Sequence, residues 1–360
     1  MKSLSSALTA VLVLAAPLAG IAQNNHKQLQ PNEHTLNLPG ATTVDAPPAG
    51  FDPLTASDQD LAYHGFPPRP NQTTDSKEYA HWAKAMKASK TRLMPSLEQT
   101  TIFHGPAKPG KLANPTAVEN SLSAPNGKVS NTINSTNWSG YVDFSGAISY
   151  GSSSYYFIVN DMVVPYAEHP IGTCVGGWFW GSEWNGIDGW NSSDVLQAGV
   201  EFDSYCTGGA YGPTISQYYS AWYEWYPNGE VRINNFPVTA GDDIFVEVWH
   251  TSPTQGYAYL VNENNNQVVE VGFTAPSGTS LVGNSAEWVV ERPTVGGLTT
   301  LTNYTEIPFW DAYAYTEAYA FYDIDGATPI DMLDNSGNLI SYPEYVGSEA
   351  FVMHATGSAY

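Results

Sequence analysis

The residues whose types and spacing could carry chemistry lie on two alternating stretches. In Val195-Leu196-Gln197-Ala198-Gly199-Val200-Glu201-Phe202-Asp203, Leu196, Ala198, Val200 and Phe202 share one face of a strand, and Gln197, Gly199, Glu201 and Asp203 share the other, because strand side chains alternate with period two. The first face reads as core. The second offers an amide and two acids with a glycine between them, which suits plain solvent surface or the floor of a cleft. In Ala286-Glu287-Trp288-Val289-Val290-Glu291 the same alternation sets Glu287, Val289 and Glu291 opposite Ala286, Trp288 and Val290. A glycosidase would need two carboxylates roughly 5–9.5 Å apart. Glu287 and Glu291 are four strand residues apart, so roughly 13 Å, and each needs a partner from another strand.

Other chemistries find less support. There is no His-Glu-x-x-His, and His169, His250 and His354 are far apart in the chain. Asp323-Ile324-Asp325-Gly326 has only part of a calcium loop and reads as an ordinary turn. No metal or other cofactor is expected. Neither a Gly-x-Ser-x-Gly elbow nor an Asp-Thr/Ser-Gly turn occurs, Asp188-Gly189 being the nearest approach to the latter. Cys174 and Cys206 are too few ligands for zinc. In an exported domain they suit a disulfide.

The elements that must position these residues sit in a chain of uneven charge. The 360 residues carry a formal net charge of −22. Beyond Lys128 only Arg232 and Arg292 oppose 26 acidic residues, a charge of −24, whereas residues 23–128 hold 10 basic and 9 acidic residues. So acidic a domain argues against nucleic acid or an anionic membrane as partner. It suits a protein built for acid, where protonation relieves the crowded carboxylates; simple solubility is the alternative.

Residues 1–22 read as a secretory signal peptide, with a short charged start, an apolar run and small residues at Ala19-Gly20-Ile21-Ala22. An exported protein is expected, with no later membrane span. Residues 23 to about 73 look weakly ordered. From Asp75 to Leu93 the pattern is helical, with Tyr79, Trp82, Ala83, Met86 and Leu93 on one stripe, and Lys77, Lys84, Lys87, Lys90 and Arg92 make the segment basic. Such a helix could bind a membrane surface or dock on the chain's own acidic domain; the second is expected, covering the acidic cleft. Residues 105–133 read as a linker rich in Pro, Gly, Asn and Ser. Residues 23–133 together look like a propeptide that inhibits its own domain and is removed by self-cleavage in that linker. From residue 134 to 360, aromatic and β-branched runs alternate with Gly, Asn and Ser turns, which predicts an all-β sandwich or barrel.

Five ordered motifs in that domain carry a resemblance: Asn137-Trp138-Ser139-Gly140-Tyr141-Val142, Trp184-Asn185-Gly186-Ile187-Asp188-Gly189, Val195 to Glu201, Ala221-Trp222-Tyr223-Glu224-Trp225-Tyr226-Pro227, and Ser285 to Glu291. In this order and spacing they resemble the glutamic peptidases, the eqolisins. The resemblance implies a sandwich of two bent antiparallel sheets, jelly-roll or lectin-like, with a cleft on a concave face. It implies an acid endopeptidase secreted as a precursor, acting on polypeptides without a metal, and a monomer is expected. Carried over by position, the catalytic dyad is Gln197 and Glu287. Trp184, Asp188, Glu201 and Glu291 are the expected supporting or substrate-binding residues, although family members carry Asp at the place of Glu201.

The chemistry is consistent with that pair. A Glu with an ordinary pKa near 4.3 is partly ionised around pH 4 and can take a proton from water. A Gln amide is neutral at any pH and can donate to a developing oxyanion. For both to hold one water, their strands should lie side by side. Trp184, Trp222, Trp225, Tyr218, Tyr219 and Tyr223 could be core or cleft lining. A β-sandwich that binds or cleaves glycans is the competing reading.

Overall fold

The computed structural model describes residues 32–111, 132–169, 174, 176–208 and 214–357. The expected signal peptide and residues 112–131 of the expected linker lie outside the described residues.

Two antiparallel sheets pack face to face. The first runs, strand beside strand, through Leu97–Gln99, Val231–Ile233, Thr214–Tyr226, Val195–Thr207, Ser182–Ile187, Ser285–Glu291, Trp138–Phe144 and Thr328–Leu333. The second runs through Gln267–Thr274, Gln255–Asn262, Asp243–Ser252, Tyr155–Val163, Ile307–Thr316, Ala350–Ala355 and Leu339–Gly347. Leu339–Gly347 then pairs with Thr328–Leu333, joining the sheets along one edge. The all-β sandwich expected from the alternation is what forms.

The core lies where period two puts it. Leu196, Ala198, Val200 and Phe202 pack in one cluster with Ile158, Met162, Val246, Val248 and Leu260 of the opposite sheet. Each large apolar side chain so buried contributes about 1.5–3 kcal/mol. Asn185 crosses the same layer, its Nδ2 donating to Asn160 Oδ1 at 2.7 Å and to the Val246 carbonyl at 2.9 Å. Its neighbour Glu183 also points inward and is fully buried. Cys174 and Cys206 are bonded, with their Cα atoms 5.6 Å apart.

The N-terminal segment departs from expectation. Residues 32–73 are not loosely ordered: Glu33–Thr35 and Thr42–Val44 pair as a hairpin, Thr42 bonds to the edge of Gln267–Thr274, and Asp58–Tyr63 is a helix capped by the Ser57 hydroxyl. A long, weakly periodic stretch orders because a ready-made sheet edge supplies its backbone partners. The basic helix is Ser76–Ala88 and ends before Leu93. Thr91 and Arg92 instead join Gln267–Thr274 as a short parallel strand.

This helix docks on the outer face of the second sheet rather than on the cleft, which corrects the sequence reading. Trp82, Ala83, Ala85 and Met86 share a cluster with Phe245, Tyr259, Val261 and Tyr313. Lys84 Nζ sits 2.6 Å from Glu263, 2.9 Å from Asp161 and 3.6 Å from Asp243, and His81 lies 3.2 Å from Asp161. The expectation of an acidic docking partner holds, but the partner is this carboxylate trio. Apolar burial holds the helix there, its stripe joining the cluster of Phe245, Tyr259, Val261 and Tyr313.

Burial raises the pKa values of Glu183 and Glu247 well above the ordinary value. A raised carboxyl pKa stabilises the fold fully below the unfolded value, near 4.3, and that stabilisation is lost as pH rises through the folded value. The thermal midpoint should therefore fall between about pH 5 and pH 8, and fall less in Glu183→Gln/Glu247→Gln, by about 2–4 °C for each ~1 kcal/mol spared. Asp161 behaves oppositely. Burial would raise its pKa, but the charges of His81 and Lys84 and their hydrogen bonds carry it below the usual range. Its share of the docking is present above the unfolded value and lost as pH drops through the folded one. Asp161→Asn should loosen the helix at neutral pH, seen as faster tryptic cleavage at Lys77–Lys90 than in the parent chain.

Candidate active site

The cross-strand registers arrange the face of the first sheet that points away from the second as rows. Glu287 pairs with Gly186, and Gly186 pairs with Gln197, which in turn pairs with Glu224. The next row reads Val289, Trp184, Gly199, Trp222, and the third Glu291, Ser182, Glu201, Ser220. Directly paired residues point to the same face, so every site residue expected from the sequence except Asp188 and the two cysteines stands on this one face.

The strands of Gln197 and Glu287 do not lie side by side, contrary to expectation. The Ser182–Ile187 strand runs between them, which separates their Cα atoms by about 9.5 Å. The residue between them is Gly186. A Cβ there would lie 2.9 Å from Gln197 Cβ and 3.0 Å from the Leu196 carbonyl oxygen. Any larger residue would collide there, so only glycine can stand between Gln197 and Glu287 in this row. Both are fully buried. Gln197 Nε2 donates to the His104 carbonyl at 2.5 Å. Glu287 Oε1 accepts the Trp190 N–H at 3.4 Å.

Asp188 supports this row from its end. It takes φ 68, the left-handed region, and its carboxylate accepts the N–H groups of Val282 and Gly283 (Oδ2, 2.8 and 2.9 Å) and of Asn284 (Oδ1, 2.8 Å). That anchors the turn from which the Ser285–Glu291 strand departs, so Asp188 acts on Glu287 through the backbone. Trp184 Nε1 donates to Glu291 Oε2 at 3.1 Å, and Asn137 Nδ2 donates to Glu291 Oε1 at 3.1 Å. Trp184 packs edge-on against Trp138, ring centroids 5.0 Å apart. Of the aromatics in question, Trp184 and Trp222 line this face, Tyr223 and Trp225 belong to the inter-sheet core, Tyr219 is half-buried beside it and Tyr218 is exposed.

Residues 97–109 lie across the face as an added strand would. Leu97–Gln99 pairs with Val231–Ile233, the Glu230 N–H donates to the Ile102 carbonyl at 2.9 Å, and Phe103 and Thr294 exchange both backbone bonds. The His104 N–H donates to Glu224 Oε2 at 3.0 Å. Past it, Asn137 Nδ2 donates to the Gly105 carbonyl at 3.3 Å and the Lys108 N–H donates to Asn137 Oδ1 at 2.8 Å. Residues 105–111 are therefore not a free linker.

The His104 ring is buried among carboxylates. Nε2 is 2.8 Å from Glu201 Oε1 and 3.4 Å from Glu230 Oε2, and Nδ1 is 3.7 Å from Glu291 Oε2. Burial alone would lower its pKa. The charge of Glu201, together with the close contacts to Glu201, Glu230 and Glu291, outweighs burial and raises it well above the ordinary imidazole value. Burial pushes Glu201 up to about 7 against the pull of His104. Burial also holds Glu287 and Glu224 well above the usual carboxylate range. His104, Glu201 and Glu230 bring three ligand atoms within 4.8 Å of one another, close enough for a cation; here the imidazole takes that role.

Sequence reasoning did not single out His104, Gly186, Glu224, Glu230 or Asn137. Gly186, Glu224 and Asn137 sit inside motifs that drew attention, and Glu224 shares the alternation of Trp222. His104 and Glu230 carry no local signal, since their neighbours meet only in the folded chain. The clamp at Asp188 is directly testable. Asp188→Ala leaves three N–H groups without their acceptor, each costing about 1–3 kcal/mol when buried. It should lower the thermal midpoint markedly, with Asp188→Asn retaining part of the difference.

A match to the peptidase A4 family spans residues 136–354. Scytalidopepsin B of Scytalidium lignicola is 37% identical over 112 residues, 31% of this chain and 39% of that protein. Aspergillopepsin-2 of Aspergillus niger is 30% identical over 175 residues, 48% of this chain and 58% of that protein. The chain thus aligns with less than two thirds of either relative's length. The crystal structure of scytalido-glutamic peptidase with a transition-state analogue inhibitor matches at a TM-score of 0.50 and 23% identity, covering 61% of this chain and 98% of that one, which is a likeness of fold.

Proposed function

Because this chain belongs to the peptidase A4 family, the glutamic peptidases, we propose that it is an acid-active endopeptidase whose dyad is Gln197 and Glu287. One observation carries the reading. Gln197 and Glu287 flank Gly186 in a single row, and the Gln197 amide already holds the carbonyl of a peptide segment lying across the face. That is where an oxyanion donor should stand.

The steps follow from the two groups. Glu287 takes a proton from a water as the water oxygen attacks the carbonyl carbon. The Gln197 amide donates to the oxygen that gains charge, and it does so at any pH. The carbon–nitrogen bond breaks as Glu287 passes the proton to the leaving amine. Burial raises the Glu287 carboxyl well above the usual carboxylate range in this closed state, which disfavours the ionised form that accepts a proton. Uncovering the face removes that cause, and its pKa moves back toward the ordinary range, where acid solutions leave it partly ionised.

In this reading residues 1–22 direct export, residues 23–133 are the propeptide and residues 134–360 are the peptidase domain, working as a monomer on polypeptides. The propeptide inhibits by lodging residues 97–109 in the cleft, while its helix holds the opposite sheet. Acid weakens the helix contact through Asp161, and cleavage in the 105–133 stretch completes release.

The test is casein hydrolysis by the full chain after exposure to about pH 3–4, with pepstatin present to suppress aspartic peptidases. Gln197→Ala and Glu287→Gln should each lower the rate by at least about 10²–10³-fold. Full activity in Glu287→Gln would sink the dyad. Sugar-dependent thermal stabilisation without proteolysis would favour the glycan-binding alternative.

A further inference from the structure

We propose that Glu201, Glu230, Glu291 and the face of Trp222 form a specificity pocket for a protonated imidazole, so that the cleft prefers peptides with histidine at the residue supplying the scissile carbonyl. The proposal rests on the reading of Gln197 and Glu287 as the catalytic pair. The chain's own His104 carries it, because the same residue that places its carbonyl on Gln197 places its ring in the pocket.

The backbone of His104 is held on both sides of its Cα, by Gln197 at the carbonyl and by Glu224 at the N–H. Its side chain therefore enters the pocket in a fixed register relative to the catalytic amide. The ring lies flat on Trp222, centroids 3.9 Å apart and planes 8° from parallel. Carboxylates face both ring nitrogens: Glu201 and Glu230 at Nε2, Glu291 at Nδ1. An imidazole presents donors at both nitrogens only when protonated. A neutral ring would turn a lone pair toward one of these carboxylates.

The surrounding charges leave the pocket short of cations without its occupant. Asp203 stands beside Glu201, and Glu224 closes the far side. The opposing cations are Arg232, 3.6 Å from Glu230, and Lys108, which acts on Glu291 from a distance. Burying a leucine there would leave the buried carboxyl groups without the polar partner that an imidazole supplies, which is unfavourable. A lysine would supply charge but no flat face for Trp222. Histidine in a substrate, with an ordinary pKa near 6.5, is protonated throughout the acid range in which Glu287 is to work.

Hydrolysis in this register joins the water oxygen to the carbonyl carbon of the histidine and breaks its bond to the next nitrogen. Glu287 carries the proton from the water to that nitrogen. Within the chain itself the bond so placed is His104–Gly105.

The experiment uses the full chain, activated in acid, and quenched-fluorescence peptides identical except for His, Lys, Gln or Leu at the residue before the cleaved bond. Product masses identify that bond. At about pH 4 the His peptide should exceed the Gln and Leu peptides in kcat/KM by at least about tenfold. Glu201→Gln and Glu230→Gln should each shrink the His-to-Leu ratio severalfold. Equal rates for His and Leu overturn the pocket and leave the dyad standing, as do a Lys peptide equal to His or a ratio unchanged in both variants. Cleavage of none of the peptides overturns the pocket and the catalytic reading together. The panel on the unaltered chain keeps the proposal falsifiable even if a variant does not fold.

Discussion

The site depends on the register of three strands. Gly186 pairs with Gln197 on one side and Glu287 on the other, so two residues far apart in sequence stand in one row with only a glycine between them. A slip of one residue on any of the three strands would turn its polar set into the inter-sheet core. That core resists the slip, because Leu196, Ala198 and Val200 would then have to leave the cluster they share with the second sheet. The apolar face thus enforces the geometry of the polar one. Asp188 secures the end of the row by pinning the turn before Ser285–Glu291.

Charge is the second constraint. Buried carboxyl groups occur between the sheets at Glu183, on the outer face of the second sheet at Glu247, and on the site face of the first at Glu201, Glu224, Glu287 and Glu291. Burial disfavours their ionised forms, so the fold and the proposed chemistry both favour acid. The basic residues that remain are placed where they matter. Lys84 gathers three carboxylates on the outer face of the second sheet, and the imidazole of His104 meets three in the cleft.

The N-terminal segment divides its work between these two places. The helix is held by apolar burial of Trp82 and Met86 together with the Lys84 contacts. The extended stretch is held by backbone pairing at Leu97–Gln99 and by the pins on either side of His104. A helix has satisfied its own backbone groups and needs an apolar face. An extended strand has not, and needs a sheet edge or the donors and acceptors of a cleft.

Local pattern was enough to determine the strand class, the inward residues, the acidic character and the Cys174–Cys206 bond, because alternation, composition and a cysteine pair are local or countable properties. The ordered motifs, through their resemblance, pointed to Gln197, Glu287, Trp184, Asp188, Glu201 and Glu291 as one group. Only the tertiary structure decided how they are arranged: that a third strand separates Gln197 from Glu287, that Gly186 stands between them, and that Asp188 binds three backbone N–H groups. It also moved the basic helix to the opposite sheet and put His104, a residue without any local signal, at the centre of the cleft. Strand order and docking face are set by non-local pairing and by the competition of apolar surfaces for cover, and no window of sequence contains both partners.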